Sequence, residues 1–212
     1  MSKKYELLES DTIEIENPYG PDIFMYRIRA LRDFANVKAG DLGGYIQFEQ
    51  NLSHDGNCWV YDKAQVYGEA RVYDNATVCE NATIRDHAEA WGDACIYGDA
   101  DISGQACIYD SAQIAGQALV YELAEVYGDA HIWDNATICG EAHVTGNAKV
   151  HHSATVCSNA NVCGNAIIEG NARIDKHAHI GSSDNYITFG PIDHEYITYY
   201  DTDIYGIKVS TI

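Results

Sequence analysis

From Val60 to Ile180 this chain places a valine or isoleucine at every sixth position, and Ala90 alone departs from the series. Four residues after each of these, from Ala64 to Ala178, stands an alanine, without exception, insertion or slip. Such a period decides the fold before any other feature is weighed. Spacings of four and two are even, so on an extended chain these residues fall on the same side. On a helix, four residues advance about 40° past a full turn and six about 240°, which leaves no common stripe. The repeat is therefore strand and turn. The two residues between aliphatic and alanine read Gly68-Glu69, Asp74-Asn75, Gly92-Asp93, Gly98-Asp99, Gly128-Asp129, Asp134-Asn135, Gly146-Asn147, Gly164-Asn165 and Gly170-Asn171. Gly, Asn and Asp tolerate positive φ or bond their own backbone at a bend. Alanine then fits an inside corner where a larger side chain would collide. Stacked coils bond one another through the backbone at about 4.8 Å. A single coil cannot bury its apolar edge alone, so the array stabilises itself along its length and its ends need covering.

The number of sides and the hand do not follow from the period, because parallel β crossovers usually run right-handed. The order aliphatic, variable, turn, turn, small, variable resembles the hexapeptide-repeat left-handed β-helix, whose members place three hexads in each coil. That resemblance implies an all-β, single-stranded left-handed parallel β-helix of about seven coils over residues 60–180, with residues eighteen apart stacked on one face. Residues 1–59 and 181–212 then read as small N- and C-terminal β caps. Alternating stretches at Tyr5 to Leu8, Thr12 to Ile15 and Phe24 to Ile28 surround an Asn17-Pro18-Tyr19-Gly20-Pro21 turn. Three short strands follow in 186–209, separated by Gly190-Pro191 and Asp201-Thr202-Asp203. Covering an end removes an unpaired β edge. Lys38-Ala39-Gly40-Asp41-Leu42-Gly43-Gly44 lacks phosphate-loop spacing and reads as a bend feeding the first coil.

The opening segment carries Tyr26-Arg27-Ile28-Arg29-Ala30-Leu31-Arg32-Asp33-Phe34, then Val37 to Ile46, Asn51-Leu52-Ser53 and Gly56-Asn57-Cys58-Trp59. In these residues it resembles the YdcK-like family. The tail from Tyr186 to Ile192 and Gly206-Ile207-Lys208-Val209-Ser210 is similar to tails of repeat proteins in phage and prophage genomes. No run of about 18 apolar residues offers a membrane span, and Met1-Ser2-Lys3-Lys4 opens no signal peptide. Seven cysteines without paired spacing suggest neither a disulfide framework nor structural zinc, and point to a reducing cytoplasm (the host's, if the chain is phage-encoded). The net charge of −19 is spread along the chain: residues 60–180 carry six bases against seventeen acids. This argues against direct contact with nucleic acid or an anionic membrane. It suits a basic partner, such as a nucleic-acid-binding protein, or else plain solubility combined with turn chemistry, since many acids sit where the repeat bends.

With core and corners assigned, function falls to the outward positions. One face stacks Tyr73, Trp91, Tyr109 and Tyr127, flanked by Arg71, Glu89, Cys107 and Glu125, with Asp74, Asp93, Asp110 and Asp129 along the adjoining edge. The rings either stabilise neighbouring coils or form a contact face for a partner or a second copy. Tyr73, Trp91, Tyr109, Tyr127, Glu89, Glu125, Asp74, Asp93, Asp110 and Asp129 are therefore the candidate partner-binding residues. A second face stacks Tyr61, Cys79, Tyr97, Ala115, Trp133 and His151, with His131 and Lys149 beside them.

Transferases built on this helix carry a catalytic histidine near a subunit boundary, which brings His131, His143 and His151 forward. A general base needs a polarising partner and a cleft, and unbroken hexads provide no inserted loop. For metal binding, His131 and His151 can approach diagonally on one face but lack an evident third ligand, and His151 and His152 as chain neighbours should point apart. Cys139 and Cys157, eighteen apart, read as small outward fillers. The sequence thus reads as a non-enzymatic acidic β-helix, without cofactor or metal, that binds another protein through a rigid aromatic and acidic face. The tail points to a phage accessory protein acting against a host defence factor, and the flat faces to a homodimer or homotrimer. The competing readings are a hexapeptide-repeat acyltransferase and a protein that sequesters a nucleotide.

Overall fold

The computed structural model describes residues 3–18 and 20–181, together with the backbone of three strands at 186–192, 195–201 and 207–210. Strands β1 (Tyr5–Ile15), β2 (Ile23–Ala30) and β3 (Leu42–Ile46) precede twenty-one two-residue rungs, β4 (Trp59–Val60) to β24 (His179–Ile180), each starting six residues after the last. Every rung pairs in parallel with the rungs eighteen residues away: Cys95 faces Thr77 on one side and Gln113 on the other. The rungs sort into three sheets, so three hexads complete a coil. The seven expected coils are present, and β3 adds a level by pairing its Tyr45 and Ile46 with Gln65 and Val66. The molecule is thus an all-β solenoid of about eight turns. Among the described residues no helix is long and apolar enough to cross a membrane.

The hexad explains the interior directly. Each repeat Val or Ile and each corner Ala is buried, with exposures of 0–2%. Full burial of one such aliphatic side chain is worth about 1.5–3 kcal/mol. Along the rungs the backbone bonds to the next coil, as in Thr77 N–H to Ala94 O (2.9 Å) and Cys79 N–H to Ile96 O (2.9 Å). At the corner the first turn residue adopts positive φ, from +52° at Asp62 to +76° at Gly98. The second turn residue donates to the first turn residue of the next coil, as Asn75 does to Gly92 (2.9 Å).

The amide of the first turn residue lies outside this ladder, and at seven corners an acidic side chain one coil earlier satisfies it. Asp62, Asp74, Glu80, Asp86, Asp110, Glu122 and Asp134 accept from the amides of Glu80, Gly92, Gly98, Gly104, Gly128, Gly140 and His152, one coil further on, at 2.6–3.4 Å. In five of these seven ties the donor is a glycine. The acid supplies the acceptor, and the glycine leaves room for it. Seven of the chain's 32 acidic residues are turn chemistry of this kind.

The N-terminal strands differ from expectation in two ways. Tyr5 to Leu8 and Thr12 to Ile15 belong to one strand, and a register shift between Leu8 and Thr12 absorbs the polar Glu9-Ser10-Asp11 segment. Gly43 and Gly44 lie inside β3 rather than in a bend. A Cβ at Gly43 would sit 2.5 Å from Val60 O, and one at Gly44 2.4 Å from Ala64 O, so glycine lets β3 press onto the first coil. The bend itself is at Gly40, φ +96°. β1 and β2 continue the sheet of β3 in antiparallel fashion, giving ten strands in one sheet.

Beside them Asn51, fully buried, accepts from Phe48 N–H (2.7 Å) and donates to Gly68 O (3.0 Å) and Ala70 O (2.8 Å). Tyr5 OH donates to Leu52 O (2.7 Å). The buried Lys4 ammonium donates to Cys58 O (2.9 Å), and burial pushes its pKa down. At the other end, Tyr186–Ile192, Glu195–Asp201 and Ile207–Ser210 form a three-stranded antiparallel sheet. Gly190-Pro191 falls within its first strand, at a register shift between Phe189 and Ile192, where a residue without an N–H costs no ladder bond. The predicted turn residues Thr202 and Asp203 lie outside the described residues.

Candidate functional site

In a parallel ladder, an outward residue two positions past a rung's start lies diagonally from the rung start of the next coil. Long side chains span that diagonal. Here it corresponds to sixteen residues, and it organises the surface. Arg85 reaches Asp101 with two bonds, Nε to Oδ1 and a terminal nitrogen to Oδ2, both 3.1 Å. Tyr73 OH donates to Glu89 Oε2 (3.0 Å), and Tyr109 OH to Glu125 Oε2 (3.2 Å). Cys79 and Cys95 lie on the same diagonal, and the neighbouring thiol draws Cys95 down while pushing Cys79 up. Cys139 is likewise drawn down by the thiol of Cys157, directly stacked on it, and Cys157 rises.

The aromatic column is a continuous stack. Tyr73 and Trp91 lie 5.5 Å apart at 4°, Trp91 and Tyr109 4.6 Å at 2°, Tyr109 and Tyr127 4.7 Å at 2°. All four rings are half-buried. Burial, reinforced by the neighbouring carboxylates, holds the phenols of Tyr73 and Tyr109 well above their ordinary range. The edge acids serve the coils first. Asp74 and Asp110 tie the amides of Gly92 and Gly128, and Asp93 accepts from Asn75 Nδ2 (3.0 Å). Asp129 occupies the second turn position below Asp93 in the same corner, facing solvent.

The stack ends on a histidine. His143 follows Glu125 in the flanking column, and its Nδ1 lies 3.4 Å from Glu125 Oε2. Its ring meets Tyr127 edge-on, 6.5 Å between centroids at 87°. The Glu125 carboxylate thus holds both Tyr109 OH and His143 Nδ1, which leaves Nε2 as the nitrogen for another partner. His143 and Glu125 side chains are 39% and 38% exposed, open to a substrate yet flanked by rings. The polarising partner that a general base requires is therefore present at His143. His131, by contrast, has Gln113 and Lys149 as rung neighbours, neither of them a carboxylate.

On the second face Tyr97, Gln113, Ala115, His131, Trp133 and Lys149 line a shallow hollow of about 270 Å³. His151 stacks on Trp133 at 4.3 Å and 6°. The expectation that His151 and His152 point apart is corrected here: their rings are 4.6 Å apart, with Nδ1 to Nδ1 2.6 Å. His152 is a first turn residue with φ +60°, and a left-handed residue breaks the alternation of an extended chain, turning its side chain back beside its neighbour.

No protein-family model matches the chain. It is similar to the uncharacterized acetyltransferase YdcK of Escherichia coli (strain K12), with 40% identity over 45 residues. The matched stretch is 21% of this chain and 14% of that protein.

Proposed function

We propose that this chain is an acyltransferase of the hexapeptide-repeat kind, with His143 as its general base. The Glu125–His143 pair at the foot of the aromatic stack carries the reading, and the similarity to a protein named as an acetyltransferase supports it. In the reaction, His143 Nε2 removes the proton of an acceptor amine or hydroxyl as it attacks the thioester carbonyl of an acyl-coenzyme A. The carbon–sulfur bond then breaks, and the leaving thiolate takes the proton from the imidazolium. Glu125, 3.4 Å from Nδ1, orients the ring. The stacked rings of Trp91, Tyr109 and Tyr127 turn their edges outward, an apolar ridge beside His143 against which the donor packs.

The test is release of coenzyme A from acetyl-coenzyme A in the presence of a panel of amines and sugars, followed by chromatography because the protein's own thiols are free. His143→Gln should lower kcat by about 10²–10⁴-fold, and Glu125→Gln by less. Equal turnover by His143→Gln and the native chain would sink the proposal.

A second reading is favoured by the stack itself, a continuous column of parallel rings spanning four coils: a contact face for another protein or a second copy. Replacing Trp91 and Tyr109 together with Ser separates the two. Under acyl transfer it raises KM for the donor. Under the contact reading it abolishes self-association or partner capture without touching turnover.

A further inference from the structure

At the corner below the second face, Asp134, His151 and His152 offer one ligand atom each within 4.8 Å of one another. We infer that these three side chains bind a divalent transition-metal ion of the zinc class, on a different face from the Glu125–His143 pair.

The placement follows from the repeat. Asp134 and His152 occupy the same first turn position in successive coils, eighteen residues apart, and His151 is the last outward residue before that corner. Asp134 Oδ2 accepts the His152 amide at 3.1 Å, which fixes the carboxylate and leaves Oδ1 for a ligand. In five of the seven corner ties the amide donor is a glycine. Here the chain instead carries an imidazole at φ +60°, with a second imidazole beside it. The two Nδ1 atoms already converge to 2.6 Å, so a small opening of the rings admits an ion between them. Metal–nitrogen bonds to imidazole run about 2.0–2.1 Å.

The surroundings have the features of a supporting layer. His151 lies against Trp133, its side chain is 12% exposed, and its far nitrogen Nε2 sits 3.7 Å from Glu169 Oε2 in the next coil. A carboxylate on the nitrogen opposite the metal fixes the ring and strengthens it as a ligand. Two imidazoles and a carboxylate suit zinc, nickel or cobalt better than calcium or magnesium, which prefer oxygen. Asp134 and His152 are exposed, so the remaining coordination position faces solvent.

The stack on Trp133 supplies the readout. Titrating the full chain with Ni²⁺ should quench part of its tryptophan emission saturably, and calorimetry with Zn²⁺ should show one ion per chain. His152→Asn keeps a residue that tolerates positive φ, and Asp134→Asn keeps an acceptor for the His152 amide. Each should weaken both signals at least about ten-fold, and Glu169→Gln should do so by roughly that factor. His151→Phe retains the ring on Trp133 and should abolish binding. Trp133→Phe should lose the quenching while calorimetric binding survives. Undiminished affinity in His152→Asn and Asp134→Asn, both showing the native circular dichroism, would place the ion elsewhere and overturn the assignment. Absence of saturable binding by either ion would do the same.

Discussion

The first turn position of the hexad is where single residues matter most. It demands positive φ and brings successive coils into backbone contact. A Cβ at Gly98 (φ +76°) would lie 2.7 Å from Gly116 N and 2.8 Å from its O, whereas one at Gly170 (φ +68°) meets nothing within 4 Å. Both alanine substitutions incur the left-handed penalty of about 1–2 kcal/mol. Gly98→Ala adds a backbone collision that the array can relieve only by separating two coils. Thermal melts should therefore rank Gly98→Ala clearly below Gly170→Ala; equal losses would mean that the corner yields without cost. The aliphatic and alanine positions were fully legible in the sequence, because burial on a strict period admits one phase. The pairs at sixteen residues were not. Reading the surface in columns of eighteen brings out Tyr73 over Trp91 but hides Tyr109–Glu125, Cys79–Cys95 and the reach of Tyr127 toward His143. These depend on how far a side chain extends along a diagonal. The His151–His152 convergence was hidden for a related reason: the sign of one φ reverses which way a neighbour points.

At the scale of elements, the N-terminal strands join the solenoid through hydrogen bonds that no period announces. Asn51 replaces a missing rung: its amide group answers two carbonyls of the next coil and one amide of its own turn. Asn51→Ala leaves those groups buried and unpaired, at a cost of about 1–3 kcal/mol for each group stranded. The expected result is a melting temperature several degrees lower, with faster amide exchange in β3 and the first coil and little change at the far coils. A loss spread evenly along the array would show instead that the N-terminal strands and the coils unfold as one unit. The strand-forming stretches of this segment were legible from alternation, but their fusion into β1 was not, since a bulge hides the continuity. Gly43-Gly44 looked like a bend because glycine serves bends and close approaches alike, and only the neighbouring coil distinguishes the two.

For the molecule as a whole, the rungs, corners and ties repeat at two different intervals. The interior knows only the hexad, because every aliphatic and every alanine is equivalent to the one six residues on. The outside follows the coil, because stacks and corner ties link residues eighteen apart and the diagonal pairs sixteen. The chain therefore behaves as a lattice wrapped on a prism, with separate rules for length and for meaning. Cutting out eighteen consecutive residues from the middle of the array closes the lattice on itself, and a cooperative β-rich melt at a lower temperature should remain. Cutting out seventeen sends every later Val, Ile and Ala to the opposite side of the strand, and the spectrum of a folded solenoid should vanish. Cutting out six lies between these: the core closes as before, but every column beyond the cut is carried one face around the prism. Such a molecule would keep its shape and lose its addresses, with His143 no longer beside Glu125 if the cut falls between them.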